Sequence, residues 1–300
     1  MPPVLIDTDP GVDDALALLQ AWGTPGLDVE ILTTVAGNVP VAVATRNVFR
    51  LIALREPRPA PMVAEGAAAP LQRPLRTATH YHGEDGLGDL EDWPPVRPTP
   101  VRDAAADVIV AAARRHGPRL TVIALGPLTN LALAVATGAE ALRGVGRVLV
   151  MGGAVDVPGN VTPEAEFNIH VDPDAAAQVF EAGLPLDLVP LDATRQARLA
   201  PDALETALRS APPRLAERVR RFTARSFAVD GPRGLTLHDP LAVGLAADAS
   251  LAGWERARLT VDPDGRTRRV EGPPNVRIAR TVDAPRFRRA FLEALCRACW

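Results

Sequence analysis

Lysine is absent from this 300-residue chain, and all 33 of its basic residues are arginine. The absence argues against mechanisms that hold a phosphate or a nucleophile on a lysine ammonium, and no glycine-rich phosphate cradle of the P-loop kind is present either. Cysteine occurs only at Cys296 and Cys299. A zinc site would need two further ligands beside that C-x-x-C, so the pair reads as a chance spacing in a C-terminal helix. There is no run of eighteen apolar residues, and no charged start leading into an apolar stretch, which predicts a soluble, cytoplasmic protein without a membrane partner. A basic excess is lacking too: the net charge of -3 and pI near 6.0 argue against nucleic acid or an acidic membrane surface as partner. Tyr81 is the one tyrosine.

What is present suits a well-buried core: 47% of the residues are hydrophobic, and the length fits one domain spanning residues 1–300. Strand, turn and helix alternate without a sequence repeat. Strands are expected at 4–6, 29–35, near Met62 and Val63, and at 120–124, 145–151, 186–191, 258–261 and 276–279. Helices are expected after Asp9, at 41–54, 103–116, 173–182, 200–229 and 241–246, and from Pro285. This pattern predicts an α/β fold: a single-domain, open, mostly parallel, doubly wound (Rossmann-like) sheet with the active site at its carboxyl edge.

The stretch VLIDTDPGVDDALAL at 4–18 organises the rest. A buried strand runs into a tight turn and then a helix, with Asp9 at the expected N-cap, Pro10 at the first helical position, and Asp13 and Asp14 in the first turn. Capping needs one carboxylate there, not Asp7, Asp9, Asp13 and Asp14 together. Like charges this close raise one another's pKa unless a cation neutralises them. Oxygen-only ligands favour Ca²⁺ or Mg²⁺ over zinc.

Further polar turns fall at the expected carboxyl ends of later strands. Asn38 follows 29–35, and the segment 80–90 (HYHGEDGLGDL) reads as a glycine-rich loop able to fold over a ligand. Asn160, Glu166 and Asn168 sit in a long polar segment after Met151, spaced for a loop over a sugar-like ligand, although a solvated loop has much the same composition. His238-Asp239-Pro240 opens a late helix, bringing a second source of acid and a side chain that donates protons near neutral pH.

Together DTDPGVDDA at 7–15, TTVAGN at 33–38, HGEDGLG at 82–88, LGPLTN at 125–130, MGGAVDVPGNVTPEAEFN at 151–168 and HDP at 238–240 closely resemble the inosine-uridine preferring nucleoside hydrolase family, in order and over nearly the whole chain. The resemblance implies a Ca²⁺-dependent hydrolase that cleaves the N-glycosidic bond of small-molecule ribonucleosides to base and ribose, often as a homodimer or homotetramer. It implies calcium ligands at Asp9, Asp14, the backbone carbonyl of Leu125 and Asp239. It places Asp13, Asn38, Met151, Asn160, Glu166 and Asn168 on the ribose, and His82 and His238 beside the leaving base. Asp9 takes the proton of water, with Asp13 the other candidate, and His238 protonates the base. An oxocarbenium-like transition state needs those functions: oriented water, stabilised positive charge on the sugar, and a leaving group helped to depart. One departure stands out. Family members often carry a tyrosine shortly before HDP, whereas this chain has only Tyr81.

Two other readings start from the same residues. Haloacid-dehalogenase-like phosphatases also place D-x-D after a first strand, as Asp7-Thr8-Asp9 does, but they rely on a later lysine that this chain lacks. A non-catalytic calcium or ribose-binding module would keep the acids without needing His238 and Glu166.

Overall fold

The computed structural model describes residues 1–297. The chain opens with β1 (Pro3–Thr8), α1 (Val12–Gly23), β2 (Asp28–Thr34), α2 (Val41–Arg55) and β3 (Met62–Glu65). A one-turn helix α3 (Thr79–His82) precedes α4 (Ala105–His116), β4 (Thr121–Ala124), α5 (Thr129–Arg143) and β5 (Arg147–Met151). Then come α6 (Phe167–Val171), α7 (Pro173–Glu181), β6 (Leu186–Val189), α8 (Leu191–Thr194) and β7 (Arg198–Leu199). Helices α9 (Pro201–Leu208) and α10 (Pro213–Asp230), strand β8 (Leu235–Thr236) and helix α11 (His238–Ala247) follow. The chain closes with β9 (Ala252–Ala257), β10 (Leu259–Val261), β11 (Thr267–Arg269), β12 (Val276–Val282) and α12 (Ala284–Cys296).

Eight strands form one sheet in the order β3-β2-β1-β4-β5-β6-β12-β9. All neighbours run parallel except β9, which pairs antiparallel with β12 at the edge. The fold is therefore the α/β class expected. Strand β1 is buried along its whole length, as a central parallel strand covered by helices on both faces must be. Its side chains alternate between two cores: Val4 and Ile6 join α1, α10, α11 and α12 on one face, while Leu5 joins α4, α5 and α7 on the other. Each of the fully buried leucines, such as Leu16, Leu18 and Leu19 of α1, is worth roughly 1.5–3 kcal/mol of burial.

The connections from β1 lead outward to β2 on one side, and β4 flanks β1 on the other. This reversal of winding opens a crevice beyond the carboxyl ends of β1 and β4, where ligands bind in open α/β sheets. Asp9 follows β1 there and Leu125 follows β4.

Several local expectations differ from the structure. Helix α1 starts at Val12 with Gly11, not Asp9, at its N-cap, and the capping carboxylate is that of Asp14. Asp9 and Pro10 are thereby released to the turn, because Asp14 reaches back to the Gly11 N–H. The 80–90 loop includes α3. The expected helix at 200–229 breaks into α9 and α10 around Ala211 and Pro212, since proline removes a donor and restricts the residue before it. The strand expected at 186–191 stops at Val189, and Leu191 starts α8. The strand expected at 258–261 pairs in a separate hairpin with β11 rather than in the main sheet. Strand β9 (AGWERA) escaped notice because an exposed edge does not demand an apolar run. Cys296 is buried in α12, and Cys299 lies outside the described residues.

Candidate active site

Asp14 is the hub of the first turn. Its carboxylate accepts the backbone N–H of Gly11 at 3.0 Å, the Thr8 hydroxyl at 2.5 Å and the Asn38 Nδ2 at 3.1 Å. Asn38 also donates its backbone N–H to Asp9 Oδ2 at 2.6 Å, so one residue at the end of β2 holds two carboxylates. The other oxygen, Asp9 Oδ1, is buried without a partner. It points at Gly126, where a Cβ would lie 2.5 Å from it, while a Cβ at Gly37 would strike Asp9 Oδ2. Both glycines are required because the turns after β2 and β4 close directly on this carboxylate.

Oxygens of Asp13, Asp14 and Asp239 lie within 4.8 Å of one another. Asp239 arrives from the opposite direction, in the first turn of α11. Burial pushes every member up, joined by repulsion from neighbouring carboxylates at Asp9, Asp13 and Asp239: Asp13 to about 8, and Asp9, Asp14 and Asp239 above the ordinary carboxylate range. Carboxyl groups this close to one another are relieved by taking up protons or by sharing a cation. Four converging carboxylates with an orphaned oxygen fit a hard divalent cation bound by oxygen alone. Asp7 faces elsewhere. It accepts from Thr33 and Asn130 and is raised to about 7 by burial.

The Leu125 carbonyl, just after β4, accepts Asn168 Nδ2 at 2.6 Å; the same amide reaches the Met151 carbonyl at 3.1 Å and lies 3.5 Å from the Met151 Sδ. A carbonyl oxygen has a second lone pair, which leaves Leu125 able to take a further partner. Glu166 is the N-cap of α6. Its buried carboxylate accepts the N–H groups of Gly153, Asn168 and Ile169, at 2.9, 3.0 and 3.2 Å. Its charge thus locks the loop that carries Asn168. Asn160 is exposed on the rim, its Oδ1 accepting the Phe167 N–H at 3.0 Å.

Above the acids lies a cavity of about 280 Å³ lined by Asp13, Asn160, Phe167, Thr236 and His238, with His80 and Tyr81 from the loop. His238 Nδ1 is 2.8 Å from the Thr194 hydroxyl. Burial, with Arg195 and Arg198 nearby, lowers its pKa to about 4. His82 is not among the lining residues. Its Nδ1 accepts the Val12 N–H at 3.0 Å, capping α1, and burial pulls its pKa down to about 3. Tyr81, not a site candidate from the sequence, lines this cavity, and its hydroxyl donates to Asp230 at 3.0 Å. Its position beside His82 in a glycine-rich loop was the available signal.

The family model for inosine-uridine preferring nucleoside hydrolases matches residues 4–289. The chain belongs to that family. It is a nucleoside hydrolase, a glycosidase acting on N-glycosyl compounds. The hydrolase is 36% identical to the non-specific ribonucleoside hydrolase RihC of Klebsiella pneumoniae, over 99% of each chain. It superposes on a purine-preferring ribonucleoside hydrolase from Gardnerella vaginalis with a TM-score of 0.93 at 29% identity, covering 98% of each. A plant nucleoside hydrolase, PpNRh1, gives a TM-score of 0.91 at 32% identity over 99% of each. Among the described residues of the hydrolase, no helix is long and apolar enough to cross a membrane.

Proposed function

We propose that this hydrolase cleaves unphosphorylated ribonucleosides at a Ca²⁺ site held by Asp9, Asp14, the Leu125 carbonyl and Asp239. The observation that carries this reading is the orphaned Oδ1 of Asp9, buried close to the carboxylates of Asp13, Asp14 and Asp239, with Asp13 also lining a nucleoside-sized cavity. Such a cation, when bound, neutralises the acids, orients the ribose diol and water, and acidifies that water.

The chain's own residues supply the rest. Asp9, with one oxygen unpartnered and a raised pKa, takes the proton of the attacking water. Asp13 lies at the cavity wall and accepts from a ribose hydroxyl, with Asn38 bracing the acids. Asn168, aimed by Glu166 and backed by Met151, orients the sugar, and Asn160 closes the rim. His238 sits across the cavity from the acids. In the imidazolium form Nδ1–H donates to the Thr194 hydroxyl oxygen and Nε2–H is transferred to the departing base, leaving neutral imidazole, a contribution of roughly 10²–10⁴ in rate. His82 supports this indirectly, by holding the loop on the start of α1. The reading includes a cytoplasmic homodimer or homotetramer, as the family resemblance implies.

The test is release of reducing sugar from inosine, uridine, cytidine and adenosine, with and without a chelator, on the wild type and Asp14→Ala. Chelator-sensitive ribose release that Asp14→Ala abolishes is expected. Release of ribose that survives complete chelation would overturn the cation assignment, and failure to cleave any of the four would overturn the substrate class.

A further inference from the structure

Tyr81 and Asp230 meet across the mouth of the cavity, from elements about 150 residues apart in sequence. Tyr81 stands at the end of α3, its ring edge-on to His82 with centroids 4.9 Å apart. Asp230 is the last residue of α10, and both residues line the cavity that His238 lines.

The meeting is enforced by the scaffold around it. Arg218 and Arg221 of α10 hold Asp92, at 2.8 and 2.5 Å, and Arg225 holds Asp89 at 3.1 Å and the His80 carbonyl at 3.2 Å. These arginines lie three to four residues apart, on one face of the helix. The segment from His80 to Asp92 is therefore pinned along α10, and Tyr81 arrives at Asp230 in register. Gly88 permits the closeness: it has a φ of +77°, and a Cβ there would press on the Phe222 backbone at 3.0 Å.

The pair has a definite polarity. The Tyr81 O–H donates to Asp230, which leaves the Tyr81 oxygen as an acceptor and Asp230 with its second oxygen. The pair then offers acceptors and no donor. A base edge carrying an N–H can satisfy it. A base edge that offers only ring-nitrogen acceptors leaves those oxygens unpaired once water is expelled.

We propose that Tyr81, braced by Asp230, is a specificity-determining residue that contacts the base and selects nucleosides whose base edge carries N–H donors. The inference rests on the hydrolase reading above.

Adenosine and purine riboside, which differ only in the exocyclic amino group, provide the test. The ratio of their kcat/KM values is measured on the wild type, Tyr81→Phe and Asp230→Asn, with p-nitrophenyl β-ribofuranoside as a substrate whose leaving group has no N–H. The wild type is expected to favour adenosine. Tyr81→Phe is expected to cut that preference at least tenfold, mainly through a raised KM for adenosine, and Asp230→Asn to cut it less. Cleavage of the p-nitrophenyl riboside, whose leaving group has no N–H, is expected to fall several-fold less than that of adenosine in both variants. An unchanged ratio in Tyr81→Phe overturns the proposal, as does a parallel loss on all three substrates or a wild type indifferent to the amino group. A wild type that cleaves none of the three overturns the hydrolase reading itself, whereas p-nitrophenol release with an unaltered ratio removes only the role of Tyr81.

Discussion

His82 Nδ1 accepts the backbone N–H of Val12 at 3.0 Å, joining two residues 70 positions apart. An acceptor at Nδ1 must be unprotonated there, and burial lowers the His82 pKa to about 3 against an ordinary value of 6.5. A folded pKa below the unfolded one means the unfolded chain binds the extra proton. The stability His82 provides is therefore fully present above pH 6.5 and is lost as pH falls from 6.5 toward 3, by at most about 1.4 kcal/mol per pH unit. Urea denaturation from pH 7 to 4.5 is expected to give a shallower acid decline in His82→Leu than in the wild type. Parallel declines would show that His82 is not the titrating group.

The carboxylate cluster carries the opposite sign. Asp13 is raised to about 8 from 3.8, so in chelated protein its contribution is present below pH 3.8 and is lost as pH rises from there through 8. Calcium is expected to abolish that loss and to add about 2.7 kcal/mol at a hundredfold excess over its Kd. Thermal melts with chelator and with calcium, at pH 6 and pH 8.5, check it. Asp239→Asn is expected to lose most of the calcium-induced rise.

Glu166 spends both oxygens on three amides of the loop and of α6. Glu166→Ala removes an N-cap and leaves those donors buried, an expected cost of about 1–2 kcal/mol. Because Asn168 loses its anchor, kcat is expected to fall at least tenfold. Glu166→Gln, which retains one acceptor, is expected to fall between. Stability and kcat measured on both variants decide whether the residue positions or merely stabilises.

Asp187 provides a control remote from the chemistry. It lies buried between Arg147 and Arg277, each of which also stacks on Trp254. Both guanidiniums keep part of their surface in water, so Asp187→Ala is expected to cost about 1–3 kcal/mol, the loss of charged hydrogen bonds. The kcat of the fraction that folds is expected to be unchanged, which activity per folded molecule, titrated by calorimetry, will check.

Much of this protein was legible in its sequence alone. The alternation of apolar strands and amphipathic helices determined the α/β class, because a strand buried on both faces must be apolar throughout and must be covered by helices. The crowding of Asp7, Asp9, Asp13 and Asp14 at one strand end marked the acidic cluster, since carboxylates this close must take up protons or share a cation; only the structure turns Asp7 away from it, to Thr33 and Asn130. Tertiary structure alone decided the division of labour. Gly11, not Asp9, caps α1, because the Asp14 side chain folds back and frees Asp9 to face Gly126. His82 turns to the Val12 amide and yields the cavity wall to His80 and Tyr81. Glu166 serves the backbone, and Tyr81 finds Asp230 only because arginines 218, 221 and 225 align a loop along α10. Motifs record which residue types are near one another in the chain; the direction each side chain faces depends on hydrogen-bond partners from other elements, and only folding supplies those.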